Sequence, residues 1–171
     1  MLGLFFPKNQ IQADAGQSRI ASFTLATPGE FFILSSTLHD IMRKLDASFW
    51  IGTAGILGAL CVALGAMGAH LPSSIIPLLT RETYALAVRY HLYHVLALLA
   101  CGILLAVFPE RGRLLRWSAA LFAGGIVLFS GSLYALVLTD VLILGAITPI
   151  GGVFWIAAWG LLGWAVLARR G

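Results

Sequence analysis

Two histidines and two tyrosines stand close together near the middle of the chain, in the segment Tyr90-His91-Leu92-Tyr93-His94. They lie where a polar, charged stretch passes into an apolar run that continues to Phe108. Imidazole and phenol groups can bind metals, transfer protons or hydrogen bond to a ligand. An ionisable side chain within a membrane span is a candidate functional group, because its burial in hydrocarbon is costly. The chemistry open to this segment depends on the elements that surround it.

The composition indicates an integral membrane protein with one membrane domain. Apolar residues make up 60% of the 171 residues and charged residues only 11%, whereas soluble domains contain about 25% charged residues. The net charge of +4 predicts no nucleic-acid partner, because the arginines lie in short segments between apolar runs. The expected partners are the lipid bilayer and other membrane proteins or further copies of the chain. Cys61 and Cys101 lie inside apolar runs and are expected to be small buried residues.

Four apolar runs are long enough to cross a membrane, since about 20 helical residues span the hydrocarbon. They cover residues 49–70, 90–108, 117–139 and 149–168, and none of them contains Asp or Glu. The sequence therefore predicts an all-α integral membrane four-helix bundle, with the membrane domain over residues 47–170.

Residues 1–46 are predicted to form an N-terminal extension, partly disordered. The first 30 residues show no signal-peptide pattern, and they either belong to the protein or come from an upstream start codon, since Met42 precedes the first span closely. In residues 31–46, apolar side chains recur at helical spacing and polar ones take the other side, which predicts an amphipathic helix in the membrane interface. His39 lies on the polar side and is expected to be a surface histidine.

The distribution of Lys and Arg predicts the orientation, because short cytoplasmic segments are enriched in these residues. The residues on one side of the spans are Arg43, Lys44, Arg111, Arg113, Arg116, Arg169 and Arg170. The other side has only Arg81 and Arg89, and residues 140–148 have none. Both termini are therefore expected to be cytoplasmic.

With this topology, polar side chains collect at the outer end of the bundle. The members of this predicted cluster are His70, Tyr90, His91, His94, Ser130, Ser132, Tyr134, Asp140 and Thr148. The fourth span is predicted to start after a Thr148 cap, and its first turn adds the backbone amides of Gly151 and Gly152, which have no partner within the helix.

Several interpretations of this cluster are open. The groups either hydrogen bond to one another across the spans and stabilise the bundle, or form a pocket for a metal, an anion or a polar headgroup. His70, His91 and His94 are the metal candidates, as ligands of a metal ion or, in pairs, of a haem, although they supply few ligands. No cofactor is firmly indicated. His94 is expected to be neutral, with Tyr134, Ser130, Thr148 or His70 as partners of its ring.

Two tryptophans of the fourth span, Trp155 and Trp159, lie four residues apart and therefore on one helix face. They either form the wall of a site for a flat ligand or pack within the bundle and against lipid. Both interpretations are consistent with the sequence.

Four segments of the chain resemble the YgdD-like family of small inner-membrane proteins, which has mitochondrial relatives in animals. They are A-L-G-A-M-G-A-H (63–70), Y-H-L-Y-H-V-L-A-L-L (90–99), L-F-S-G-S-L-Y (128–134) and T-P-I-G-G (148–152). The resemblance covers residues 47–168 and implies a multi-pass, four-helix protein of the bacterial inner membrane. It implies no activity and no catalytic residues, and it does not extend to the first 40 or so residues.

The function predicted from these observations is that of a non-catalytic component or accessory subunit that acts through membrane partners. No Ser-His-Asp order, phosphate-binding glycine loop or zinc-ligand spacing occurs in the sequence, so that an enzyme is not favoured. The alternative is a metal- or cofactor-binding membrane protein, with or without redox activity, that uses the polar cluster. A small channel or carrier is a weaker alternative, since proton-coupled transport usually requires an acidic residue within a span.

Overall fold

The computed structural model describes residues 28–72, 74–76 and 80–167, and within these ranges the chain is helical with no β-strand. The α-helices are α1 (Pro28–His70), α2 (Arg81–Val107), α3 (Gly112–Gly125), α4 (Ser132–Thr139) and α5 (Thr148–Leu167). Short 3₁₀ helices occur at Pro109–Arg111 and Leu142–Ala146, and a π-helical segment joins α3 to α4 at Ile126–Gly131. The predicted disorder of the N-terminal extension concerns residues 1–27, which lie outside the described residues.

Among the residues that the structure describes, four helical stretches are long and apolar enough to cross a membrane: Ser35–His70, Arg81–Val107, Pro109–Thr139 and Leu142–Leu167. The predicted all-α class and the number of membrane crossings are therefore confirmed. The third crossing is composite, because α3, the π-helical segment and α4 follow one another without a loop. The charge-free part of this crossing, residues 117–139, gave no sign of the internal change of helix type.

The chain comprises two compact units, Met1–His39 and Asp40–Gly171. In the first unit the described residues are 28–39, which are helical, and Ile33 and Leu38 are exposed there. The residues predicted as an amphipathic helix, 31–46, all lie within α1. The second unit contains the rest of α1 and all the other helices.

The core of the second unit lies where α3 packs against α5 and α2. Small buried residues allow this close packing: Cys101, Ala119 and Ala158 are fully buried in one apolar cluster, together with Leu98 and Phe122. Helices in lipid associate through packing of this kind, because hydrocarbon tails provide no hydrophobic driving force between them. Both cysteines are free and buried, as expected from their apolar surroundings.

A buried hydroxyl near the start of α3 connects two crossings. Ser118 of α3 is fully buried, and its hydroxyl donates a 2.8 Å hydrogen bond to the carbonyl oxygen of Ala158 in α5. At the same end of the bundle the Arg116 guanidinium contacts the Asp46 carboxylate at 2.9 Å. Because both ends of this ion pair are partly exposed, its contribution to stability is small, about 0–1 kcal/mol.

Candidate functional site

Part of the predicted polar cluster forms where α2 faces α4. The His91 and Tyr134 side chains are 2% and 7% exposed, and the His91 Nδ1 lies 3.4 Å from the Tyr134 hydroxyl. The Tyr84 ring packs against Tyr134 with 5.2 Å between centroids, and the Tyr84 hydroxyl donates a 2.7 Å hydrogen bond to the carbonyl oxygen of Leu64 in α1. These contacts connect the first three crossings through buried polar groups.

Two polar atoms in this region are buried without a hydrogen-bond partner among the described residues: His91 Nε2 and Ser130 Oγ. Ser130 is fully buried and lies in the π-helical segment. A π-helix bonds each amide to the carbonyl five residues back, and single π turns inside α-helices occur frequently at functional sites. A buried group without a partner is costly, about 1–3 kcal/mol, so these two atoms are the candidates for contact with a polar guest such as water or a small ligand.

His94 lies in a second group, built around the indole of Trp155 in α5. The two rings are parallel, with 3.5 Å between centroids and an interplanar angle of 1°. The His94 Nδ1 lies 2.7 Å from the carbonyl oxygen of Tyr90, one turn earlier in α2. Because a carbonyl oxygen only accepts, Nδ1 carries the hydrogen of this bond. The prediction that the His94 ring bonds to Tyr134, Ser130, Thr148 or His70 was therefore wrong for Nδ1, which bonds to the backbone of its own helix.

The position of Trp155 is fixed by α3 and the π-helical segment. Its Nε1 donates a 3.3 Å hydrogen bond to the carbonyl oxygen of Phe122, and its ring occupies the space where a Cβ on Gly125 would lie. The Phe129 ring is 4.6 Å away between centroids. Trp155 is only 4% exposed and His94 covers one of its faces, so that it packs inside the bundle rather than lining a site for a flat ligand.

The start of α5 is attached to the third crossing by a pair of hydroxyls and by a glycine contact. Ser132 Oγ donates to the carbonyl oxygen of Phe129 at 2.9 Å and lies 2.9 Å from Thr148 Oγ1. Since the Ser132 hydrogen is used, Thr148 is the donor between the two hydroxyls. Thr148 is the first residue of α5 rather than a residue before it, and Gly151 lies against the backbone of the π-helical segment.

Two of the predicted site residues lie apart from these groups. His70 is exposed at the last residue of α1. Asp140 is exposed and adopts a left-handed conformation with φ 57°, where its backbone amide bonds to the carbonyl oxygen of Leu136 at 2.9 Å and ends α4. Across residues 28–72, 74–76 and 80–167, no three His, Cys, Asp or Glu side chains form a group that could hold a metal ion. The three histidines considered as ligands thus do not form one site.

The sequence prediction missed Tyr84, which supplies the contact with α1. A signal was present, because Tyr84 and His91 are seven residues apart and therefore lie on one face of the helix. It was overlooked because Tyr84 falls in the polar first turns of α2, before the apolar run.

The architecture defines the class: a multi-pass α-helical membrane protein. The chain matches a family described as "Protein of unknown function (DUF423)" over residues 64–152. This match contains the π-helical segment together with His91, Tyr134 and His94, and it ends before Trp155. The chain belongs to this family of membrane proteins.

Three relatives illustrate the similarity. The UPF0382 membrane protein YwdK of Bacillus subtilis is 45% identical over 108 residues, which is 61% of this chain and 87% of YwdK. A UPF0382 membrane protein of Staphylococcus haemolyticus is 42% identical over 111 residues, or 63% of this chain and 88% of the relative. The UPF0382 inner membrane protein YgdD of Escherichia coli is 36% identical over 129 residues, or 74% of this chain and 97% of YgdD. No solved structure matches the chain.

Proposed function

We propose that the protein is a non-catalytic membrane component that acts through lateral contact of its first crossing with another transmembrane helix. The observation that supports this proposal is a face of α1 made of small residues. Gly52, Gly55, Ala59, Ala63 and Ala66 follow one another at spacings of three or four residues, which places them on one side of the helix, and all five are exposed.

This small-residue face of α1 is exposed and has larger side chains on both sides. A Cβ on Gly52 or Gly55 would meet no other atom within 4 Å, while Ile56 and Val62 beside the face are 74% and 71% exposed. Only 11% of the residues in the most apolar window of the first crossing are buried, against 44% in the second and third. A shallow groove of this form lets a second helix approach closely, which is how helices associate in lipid.

The experiment is purification of the full chain from native membranes in a mild detergent, followed by mass determination and identification of companion proteins. The protein is expected as a dimer or higher oligomer, or together with a membrane partner, and the replacements Ala59→Leu and Ala63→Leu are expected to dissociate it. Ala157→Leu, at an exposed position of α5, is the matched control and should leave the assembly intact. A monomer without companions would contradict the proposal.

The orientation belongs to the same proposal: both termini lie in the cytoplasm, and residues 47–170 form the membrane domain. The excess of Lys and Arg on one side of the spans, seven against two, supports it. A reporter fused after Gly171 that is active only in the cytoplasm is the expected result, and activity on the opposite side of the membrane would reverse the topology.

A second candidate function is the binding of a small polar ligand or cofactor between α2 and the third crossing. The buried, unpartnered His91 Nε2 and Ser130 Oγ favour it. Metal analysis and a visible absorption spectrum of the same purified sample test it. A bound species that is lost in His91→Leu, while the protein stays folded, would support this function, and a sample without any bound species would leave the cluster as a structural feature.

A further inference from the structure

A cavity of about 400 Å³ lies between the end of α1 and the first turns of α2. Its walls are largely apolar and are formed by Gly65 and Ala69 from α1, Ile76 from the connection, and Ala85 and Val88 from α2. The volume falls in the range of small-molecule sites, about 300–1,000 Å³. Walls of this composition suit a hydrocarbon chain rather than a polar solute.

Two arginines, Arg81 and Arg89, are among the residues that line the same cavity. Arg81 donates one hydrogen bond from Nη2 to the carbonyl oxygen of Leu71, at 3.1 Å, and its Nε is buried without a partner among the described residues. No hydrogen bond or ion pair joins the Arg89 side chain to another described residue. Glu82, which lines a neighbouring depression together with Arg89, is exposed. The cavity therefore combines apolar walls with positive charge that the described part of the chain leaves without a counter-ion.

The two arginines stand at opposite ends of the α2 wall of the cavity, eight residues apart. From Arg89 to Val107, the last residue of α2, 18 helical steps of 1.5 Å give about 27 Å. The hydrocarbon core of a bilayer is about 30 Å thick. If the end of α2 lies at one interface, Arg89 lies at the other and Arg81 lies about 12 Å further out, with the apolar wall residues Ala85 and Val88 between them.

We propose that this cavity binds an anionic amphiphile, whose acyl chain contacts the apolar walls and whose phosphate or carboxylate group contacts Arg81 and Arg89. A planar guanidinium presents paired N–H donors that match the oxygens of phosphate and carboxylate groups. The ligand is either an acidic phospholipid of the surrounding leaflet or a free long-chain fatty acid, since both have this chemistry. The inference goes beyond the proposed function, because it requires no protein partner and involves a different part of the molecule.

The test uses the purified, delipidated full chain in mild detergent, titrated with three probes and observed by native mass spectrometry. The probes are dioleoylphosphatidylglycerol, oleate and the zwitterionic dioleoylphosphatidylcholine. One equivalent of an anionic probe is expected to bind about tenfold or more tightly than phosphatidylcholine, because charge-assisted hydrogen bonds are involved. Selective binding of phosphatidylglycerol identifies a phospholipid as the ligand, and selective binding of oleate identifies a fatty acid. Equal binding of all three probes would overturn the proposal.

Two variants test separately how much the positive charge and the open cavity contribute to binding. Arg81→Gln combined with Arg89→Gln removes the charge, and Ala85→Leu fills the cavity without changing the charge. Each is expected to weaken binding of the anionic probe about tenfold or more. The matched controls are Arg113→Gln and Ala106→Leu, at exposed positions of α3 and α2 outside the cavity, and both should bind like the unmodified chain. Binding of the anion unchanged in Ala85→Leu, or lost equally in the controls, would refute the site.

Discussion

The contact between α5 and the π-helical segment depends on the absence of a side chain at Gly151. A Cβ on Gly151 would lie 2.5 Å from the backbone nitrogen of Phe129 and 2.8 Å from its Cβ. Since favourable contacts between such atoms begin near about 3.5 Å, Gly151→Ala must move the first turn of α5 outward by about 1 Å. A gap of that size forfeits roughly a quarter to a half of the dispersion energy of each contact, and overpacking of this kind costs about 1–3 kcal/mol.

The matched control for this prediction is Gly160→Ala in the same helix. A Cβ on Gly160 meets no atom within 4 Å, so only the helix propensity changes, in favour of alanine by about 1 kcal/mol. The gain in helix propensity is common to both variants. The free energy of unfolding, measured in detergent by loss of far-ultraviolet circular dichroism, should therefore be lower for Gly151→Ala than for Gly160→Ala by about 1–3 kcal/mol. Equal stability of the two variants would refute the close approach of α5 to the third crossing.

Three further predictions concern individual polar contacts. Tyr134→Phe removes the hydroxyl that faces His91 and should lower the free energy of unfolding by about 1 kcal/mol, whereas Tyr93→Phe, at a 53% exposed ring, should leave it unchanged. Ser118→Ala removes a buried hydrogen bond between α3 and α5 and should cost about 0.6–2 kcal/mol in the same assay, and a neutral result would show that this bond adds nothing. Asp140→Gly should retain or raise stability, because φ is positive there, while Asp140→Val should lower it by about 1–2 kcal/mol, and the reverse order would contradict the left-handed end of α4.

The number of crossings could be predicted because the thickness of the bilayer determines the length of an apolar span. A span needs about 20 apolar residues, so the charge-free runs of the sequence show both the count and the residues near each interface. The meeting of His91 with Tyr134 follows from the same reasoning, since α2 and the third crossing run in opposite directions and both residues lie near the same end. Depth is a one-dimensional property, and hydropathy along the chain is sufficient to assign it.

The rotation of each helix about its axis was not predictable, because local packing contacts determine it. The indole of Trp155 occupies the space beside Gly125, and Gly151 packs closely against the backbone of the π-helical segment. The hydropathy of the sequence gives no sign of either contact. The π-helical segment, which starts after Gly125, has more residues per turn than an α-helix. The Ser130 side chain therefore points in a different direction from the one it would have in a regular α-helix. Helical spacing of four therefore did not determine which residue Ser130 contacts.

The single outer pocket predicted from the sequence is divided into two groups for a geometric reason. His91 and His94 are three residues apart, which in an α-helix of 3.6 residues per turn separates their directions by about 60°. One ring therefore turns to Tyr134 in the third crossing and the other to Trp155 in α5. His94 is stacked and hydrogen bonded, whereas His91 retains a buried nitrogen without a partner among the described residues. The buried nitrogen without a partner thus lies on the His91 side of α2, whereas His94 packs against Trp155.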